Sequence, residues 1–366
     1  MKFTCSGLDL SDAVLKVVKA ISTKGTNPVL EGIKISAKAD YVLFTATDLD
    51  LTIEKKIKAD VKIEGQALVL GKIFSEFVKK LKDEDIEISL NDNLLKISYM
   101  DAEGFFQCMN VDEFPKIEKL NNCDNFVILQ KEFRELIYKT EFAVSQEESR
   151  PILKGCLLEI EDYEITAVAL DGYRLSLAKK ALEQKSNKIK IIVPARHLSE
   201  ICKLLTEDKN LVRIYVQKNF IMADIGHTII IARLIEGDFI NYKQIIPSDF
   251  SSIVTINKQQ FENGLERASI LCNDDKNNLC KFDIKEKTLT LITASDKGNI
   301  KENISISLHG KDLLIAFNVR YFNEALTRIG EEFVKLYFSS PVAPCVIKPV
   351  EGEDFLFLVL PVRIVN

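Results

Sequence analysis

Apolar residues recur along this chain with two periods. Over 9–24, Leu10, Val14, Val17 and Ile21 fall at three- to four-residue spacing, which predicts an amphipathic helix. Phe133, Leu136, Ile137 and Phe142 predict a less regular helix over 131–142, and Phe261, Leu265, Ala268 and Leu271 a regular one from 258. Between these stretches the period drops to two, as in Ile86-Glu87-Ile88-Ser89-Leu90 and Val212-Arg213-Ile214-Tyr215-Val216, the signature of half-buried strands. Sheet dominates and helices are few, which defines an α+β chain.

The pattern occurs three times, about 124 residues apart. Asn27-Pro28-Val29-Leu30-Glu31-Gly32 returns as Arg150-Pro151-Ile152-Leu153-Lys154-Gly155, with a degraded third copy from Asn278 to Ile284. Phe44-Thr45-Ala46-Thr47-Asp48 returns as Ala167-Val168-Ala169-Leu170-Asp171 and again over Leu291–Lys297. Each closes a strand at a polar turn, and Asp48, Asp171 and Asp296 are expected to cap those turns. A second helix start follows in each copy, at Lys72, Arg196 and Arg320, spaced 124 apart. A unit this long is a domain rather than a solenoid repeat. Polar, turn-rich stretches near 121–125 and 248–252 divide the chain into three domains, 1–122, 123–248 and 249–366, each with two helices packed on antiparallel sheet.

Length and composition agree with that division. The chain has 366 residues, 46% of them apolar, enough for several cores. No apolar run is long enough to span a bilayer, and the start Met1-Lys2-Phe3-Thr4 has no signal-peptide core, so a cytoplasmic protein is expected. The eight cysteines, Cys5, Cys108, Cys123, Cys156, Cys202, Cys272, Cys280 and Cys345, include no closely spaced pair. They read as reduced, mostly buried small residues. Three histidines without metal-ligand spacing give no metal site and no cofactor. The run Gly65 to Lys72 has one residue too many between its glycines for a phosphate loop, and Ile73 replaces the hydroxyl residue. Without a catalytic constellation, a DNA-processing enzyme on a repeat scaffold is the weaker alternative to a binding protein.

The charge is uneven. The net charge is −5, yet the six predicted helical segments, 9–24, 72–82, 131–142, 196–205, 258–267 and 320–329, together carry +6, which leaves −11 for strands and loops. Basic helices in an acidic protein point to a surface that meets phosphate without reading bases.

Taken in order, Met1-Lys2-Phe3-Thr4, Thr47-Asp48-Leu49, Leu170 to Leu175, Val193-Pro194-Ala195-Arg196, Glu236-Gly237-Asp238-Phe239, Phe317-Asn318-Val319 and Leu360-Pro361-Val362-Arg363 resemble the beta subunit of bacterial DNA polymerase III, the sliding clamp. The resemblance covers essentially the whole chain. It implies a DNA-clamp fold and a head-to-tail homodimeric ring that encircles duplex DNA without sequence specificity. Such a ring tethers the polymerase III catalytic subunit and binds the clamp loader. It also serves other polymerases and repair proteins that carry clamp-binding peptides.

On this resemblance, Lys24, Lys72, Arg196 and Arg320 are the phosphate contacts, and Phe106 and Cys108 meet Ile270 and Leu271 across the dimer. A hydrophobic peptide pocket is implied at Leu153, Leu170, Gly172, Tyr173, Arg174, Leu175, Ile240, Gln244, Ile245, Asn318, Tyr321, Val342, Pro344, Leu358, Leu360, Pro361, Val362 and Arg363. Leu170, Tyr173, Ile240 and Gln244 depart from the family's usual threonine, histidine, proline and basic residue, which predicts a more apolar groove.

Overall fold

A computed structural model describes the whole chain except residues 24, 26, 83, 118–122, 273–277 and 364–366. The chain divides into two compact units, one made of 1–130 with 196–234, the other of 131–195 with 235–366. Each unit is organised around one antiparallel sheet. In the first, thirteen strands run in the order 124–129, 211–217, 220–224, 228–233, 51–58, 41–47, 32–38, 65–70, 102–109, 94–99, 85–91, 2–6 and 60–63. In the second, ten run in the order 155–170, 174–194, 355–359, 345–349, 333–338, 252–257, 298–310, 288–295, 279–285 and 313–318. The middle repeat gives strands to both sheets.

All six expected helices form: α1 (Gly7–Val17), α2 (Gly71–Val78), α3 (Gln130–Tyr138), α4 (Ala195–Leu204), α5 (Lys258–Cys272) and α6 (Val319–Leu326). The starts of α2, α4 and α6, at residues 71, 195 and 319, keep the 124-residue period of the sequence. α1 is shorter than its apolar pattern and tightens into a 3₁₀ turn over Val18–Ala20, where β-branched Val17 and Val18 disfavour continuation. α5 runs one turn beyond its expected end.

The predicted stripes face the interior. Leu10, Val14 and Val17 of α1, Phe133 and Leu136 of α3, and Phe261, Leu265 and Ala268 of α5 have no exposed surface. Phe261, Phe282, Phe317 and Phe322 interlock with centroids 4.9–5.8 Å apart, in the edge and tilted geometries that ring quadrupoles favour. None of the eight cysteines is in a disulfide, and six of them are buried. Burial pushes the Cys5, Cys156 and Cys280 thiols up to about 12, which keeps them protonated and inert.

One rule joins successive repeats. The last strand of the second repeat, 228–233, pairs with 51–58 of the first, with Leu51 opposite Ala232. The last strand of the third, 355–359, pairs with 174–178 of the second, with Arg174 opposite Val359. The chain then continues identically. Arg233 donates its N–H to the Asp50 carbonyl at 2.8 Å, and Leu360 to the Tyr173 carbonyl at 2.9 Å. Each compact unit therefore contains one inter-repeat junction.

Candidate peptide groove and nucleic-acid interface

The residues expected in the pocket all belong to the second unit, at its inter-repeat junction. Their floor is set by strand register. Leu170 lies opposite Leu175, and Leu175 opposite Leu358. Side chains alternate across a strand, so these leucines share one face with Leu153, Val168, Phe239 and Tyr242 in a single apolar cluster, and Leu360 packs on it half-buried.

The rim is built on a turn. The Asp171 carboxylate accepts the Tyr173 and Arg174 N–H groups at 2.8 and 3.0 Å, and Gly172, between Asp171 and Tyr173, has φ +96°, a conformation that favours glycine. Asp48 caps the equivalent turn of the first repeat, accepting from Asp50 and Leu51. In the third repeat the expected Asp296 does not do this. The Ser295 hydroxyl accepts the Lys297 N–H instead, because Ser295 is the residue in register with Asp171.

Arg174 is nearly enclosed, its side chain 9% exposed. It donates to Asp171, to the Phe142 carbonyl at 2.8 Å and to Glu324, and it lies 4.9 Å from the Tyr321 ring and 5.3 Å from the Phe142 ring. Burial alone would raise the Glu324 carboxyl. The hydrogen bonds from Arg320 and Arg174 outweigh it and hold the group below the usual carboxylate range. Asn318 caps α6 by accepting the Arg320 N–H. The Tyr173 and Tyr321 rings stack at 5.9 Å, 17° from parallel. Beyond Leu360, Val362 donates to the Ala316 carbonyl, which carries Pro361 and Val362 along the strand 313–318.

Other expected pocket residues are not tied in. Ile240, Ile245 and Val342 are 45%, 37% and 76% exposed, Gln244 and Arg363 are exposed, and Pro344 is half-buried. Asp171 was expected as a turn cap but not as a partner of the Arg174 side chain, and sequence reasoning missed three participants: Phe142 and Glu324 around Arg174, and Tyr242 in the floor. Tyr242 donates to the Glu159 carboxylate at 2.7 Å; burial and that carboxylate push its hydroxyl pKa well up. For Glu324 a signal existed, since it lies four residues after Arg320 on one helix face.

The first unit carries the same frame with different side chains. Asp50 stands where Tyr173 does, Leu51 where Arg174, His197 where Tyr321, Glu200 where Glu324 and Arg233 where Leu360. Arg196 is bound by Asp48 at 2.7 Å. His197 is 4% exposed, and burial, reinforced by Arg196, pushes its imidazole pKa down. Its Nδ1 and one Glu200 oxygen have no partner among the described residues.

The expected phosphate contacts differ in freedom. Lys72, Arg196 and Arg320 each occupy the second residue of their helix, and all are exposed. Arg196 is held by Asp48 and Arg320 by Glu324 at 2.6 Å. Lys72, Lys79, Lys80 and Lys82 make no ion pair among the described residues, so the α2 region is the least neutralised. Lys24 lies outside the described residues. Of the expected interface residues, Ile270 is 66% exposed and Leu271 half-buried, whereas Phe106 packs edge-on against Phe74 and Phe77. Cys108 is only 8% exposed and is a core residue of its own unit. Among the described residues no group of His, Cys, Asp or Glu side chains is placed to hold a metal, and no helix is long and apolar enough to cross a membrane.

Repeated α+β domains joined strand to strand, each offering two helices, define a protein of the DNA-clamp class. Comparison with known proteins gives the family. Residues 1–118, 127–241 and 243–363 match the N-terminal, central and C-terminal domains of the DNA polymerase III beta subunit. The beta sliding clamp of Halalkalibacterium halodurans is 31% identical over 362 residues, covering 95% of each chain. The DNA polymerase sliding clamp of Bacillus subtilis superposes with a TM-score of 0.97 at 29% identity, and the DNA polymerase III beta subunit of Thermotoga maritima with 0.93 at 26%, both over 100% of each chain. The chain belongs to the DNA polymerase III beta subunit family, and its function is that of a sliding clamp, a processivity factor that is not itself catalytic.

Proposed function

We propose that two copies of this chain close head to tail into a cytoplasmic ring around duplex DNA, with 1–122, 123–248 and 249–366 as its three domains. One observation carries this reading. Last strands pair with the preceding repeat at both internal junctions. Two strand edges are then left over. Among the described residues, 102–107 is paired only with 94–99, and 298–305 only with 288–295. They are the first repeat's last strand, which lacks a predecessor, and the third repeat's counterpart of 51–58 and 174–181, which lacks a successor. Applying the rule once more between two chains pairs these edges, with Phe106 opposite Gly298 and Glu103 opposite Lys301. Two heterologous contacts of this kind close a ring, and Ile270 at the exposed end of α5 adds apolar surface to the contact.

The helices supply weak, sequence-blind attraction to phosphate, led by Lys72, with Lys24, Arg196 and Arg320 as further contacts. The groove around Leu170, Leu175, Leu358 and Leu360 takes short hydrophobic peptides. Such peptides are carried by the polymerase III catalytic subunit, the clamp loader, and other polymerases and repair proteins. The experiment is retention on DNA. Protein placed on a nicked circular plasmid should stay bound through a high-salt wash and be released when the plasmid is cut once. Equal loss from circle and linear fragment would end the ring reading.

A further inference from the structure

We propose that Tyr173 is a movable leaf over the peptide groove, resting on Tyr321 in the free chain and displaced when a peptide side chain takes its place on that ring. The inference rests on the groove reading above and adds which side chain of this chain competes with the peptide. Three observations carry it. The Tyr173 backbone is pinned on both sides, its N–H by the Asp171 carboxylate and its carbonyl by the Leu360 N–H, so only the side chain is free to turn. That side chain is 56% exposed, and among the described residues neither its hydroxyl nor that of Tyr321 has a hydrogen-bond partner. Tyr321, by contrast, is held on α6 with the Arg174 guanidinium 4.9 Å from its ring, and Arg174 is itself fixed by Asp171, Glu324 and the Phe142 carbonyl. One ring of the stack is therefore anchored, and the other is held, among the described residues, by no side-chain hydrogen bond or ion pair.

A stack of two rings is weak enough to open and strong enough to matter. It leaves the open form a minority of roughly a tenth to a third. A ligand that needs the open form binds less tightly in that proportion. An incoming aromatic ring recovers what Tyr173 gave up, while a small side chain recovers nothing. Tyr321, once uncovered, would thus set a preference for aromatic over small residues at one peptide position, while Tyr173 lowers the affinity for all of them alike.

The test uses the full-length protein and three synthetic peptides, Ser-Leu-Ser-Leu-Phe and its versions ending in Leu and in Ala, with affinity read by calorimetry. Tyr173→Ala should bind all three about 3- to 10-fold more tightly than the unaltered protein does. Tyr173→Phe should bind as the unaltered protein does. Tyr321→Ala should remove the preference for Phe over Leu. If Tyr173→Ala binds the peptides equally or more weakly, Tyr173 is a fixed wall and the leaf is wrong. If no peptide binds the unaltered protein, the groove reading itself fails, a separate result. Thermal melting of each variant shows whether the fold persists.

Discussion

The two inter-repeat junctions have the same backbone and opposite chemistry. In the second unit, Leu170, Leu175, Leu358 and Leu360 form an apolar floor, with two stacked tyrosines and a caged arginine above it. In the first unit, Thr47 and Thr52 replace two of those leucines and hydrogen-bond each other at 2.8 Å, and Asp50, His197 and Arg233 replace the tyrosines and Leu360. Turn caps and tail hydrogen bonds agree within a few tenths of an ångström. The repeat therefore reproduces a frame, and side chains alone decide whether that frame presents an apolar or a polar floor.

The sharpest way to break the comparison is Arg174→Leu, which gives the second junction the residue of the first. Asp171 and Glu324 lose a shared, enclosed partner, and the protein should lose about 3–5 kcal/mol of stability in denaturant melts. An undiminished melt would show that the cage is decorative. A smaller change separates the two glutamates. Glu324→Ala should cost about 2 kcal/mol, because Glu324 serves two arginines, one of them enclosed. Glu200→Ala, which removes only the exposed contact to Lys203, should stay below about 1 kcal/mol.

Acid should act through the same cage. The Glu324 pKa is depressed when folded, so its contribution is present above the unfolded value and is lost as pH falls through the folded value, below 4.5. Melting temperature measured between pH 6 and 3 should fall less steeply in Glu324→Ala than in the unaltered protein. The smallest expected effect concerns the helices. Lys72→Ala should reduce the salt dependence of equilibrium binding to short linear duplex by about one counterion. Arg196→Ala and Arg320→Ala should change it less, since Asp48 and Glu324 already neutralise those residues.

Much of this was legible in the sequence. Period and spacing located six helices, because buried stripes and helix starts are local properties; Lys72, Arg196 and Arg320 fall on the same helical position each time. The family resemblance pointed to Leu170 and Leu175, which flank one turn, and to Leu358 on the partner strand, and the three share one apolar cluster. The rest depends on contacts between distant segments. Arg174 meets Glu324 across 150 residues, and no periodicity reports that. Tyr173 and Tyr321 stack only because a turn and a helix start converge. Cys108 was expected at an interface on the family resemblance alone, and alternation in 102–109 does not say that its face is already covered within the first unit. The division of the middle repeat between two sheets was invisible for a related reason, since strand partners are chosen across repeats.

That division has a consequence for synthesis. The first unit requires 196–234, so its sheet cannot be completed until the ribosome has also made residues 131–195, which belong to the other unit. At translation speeds of about 5–20 residues per second, the nascent chain carries unfinished strand edges for several seconds. Fragments cut between repeats inherit the same exposed edges permanently. The smallest piece that can close the first sheet ends at Leu234 and still trails an unpartnered segment through its middle.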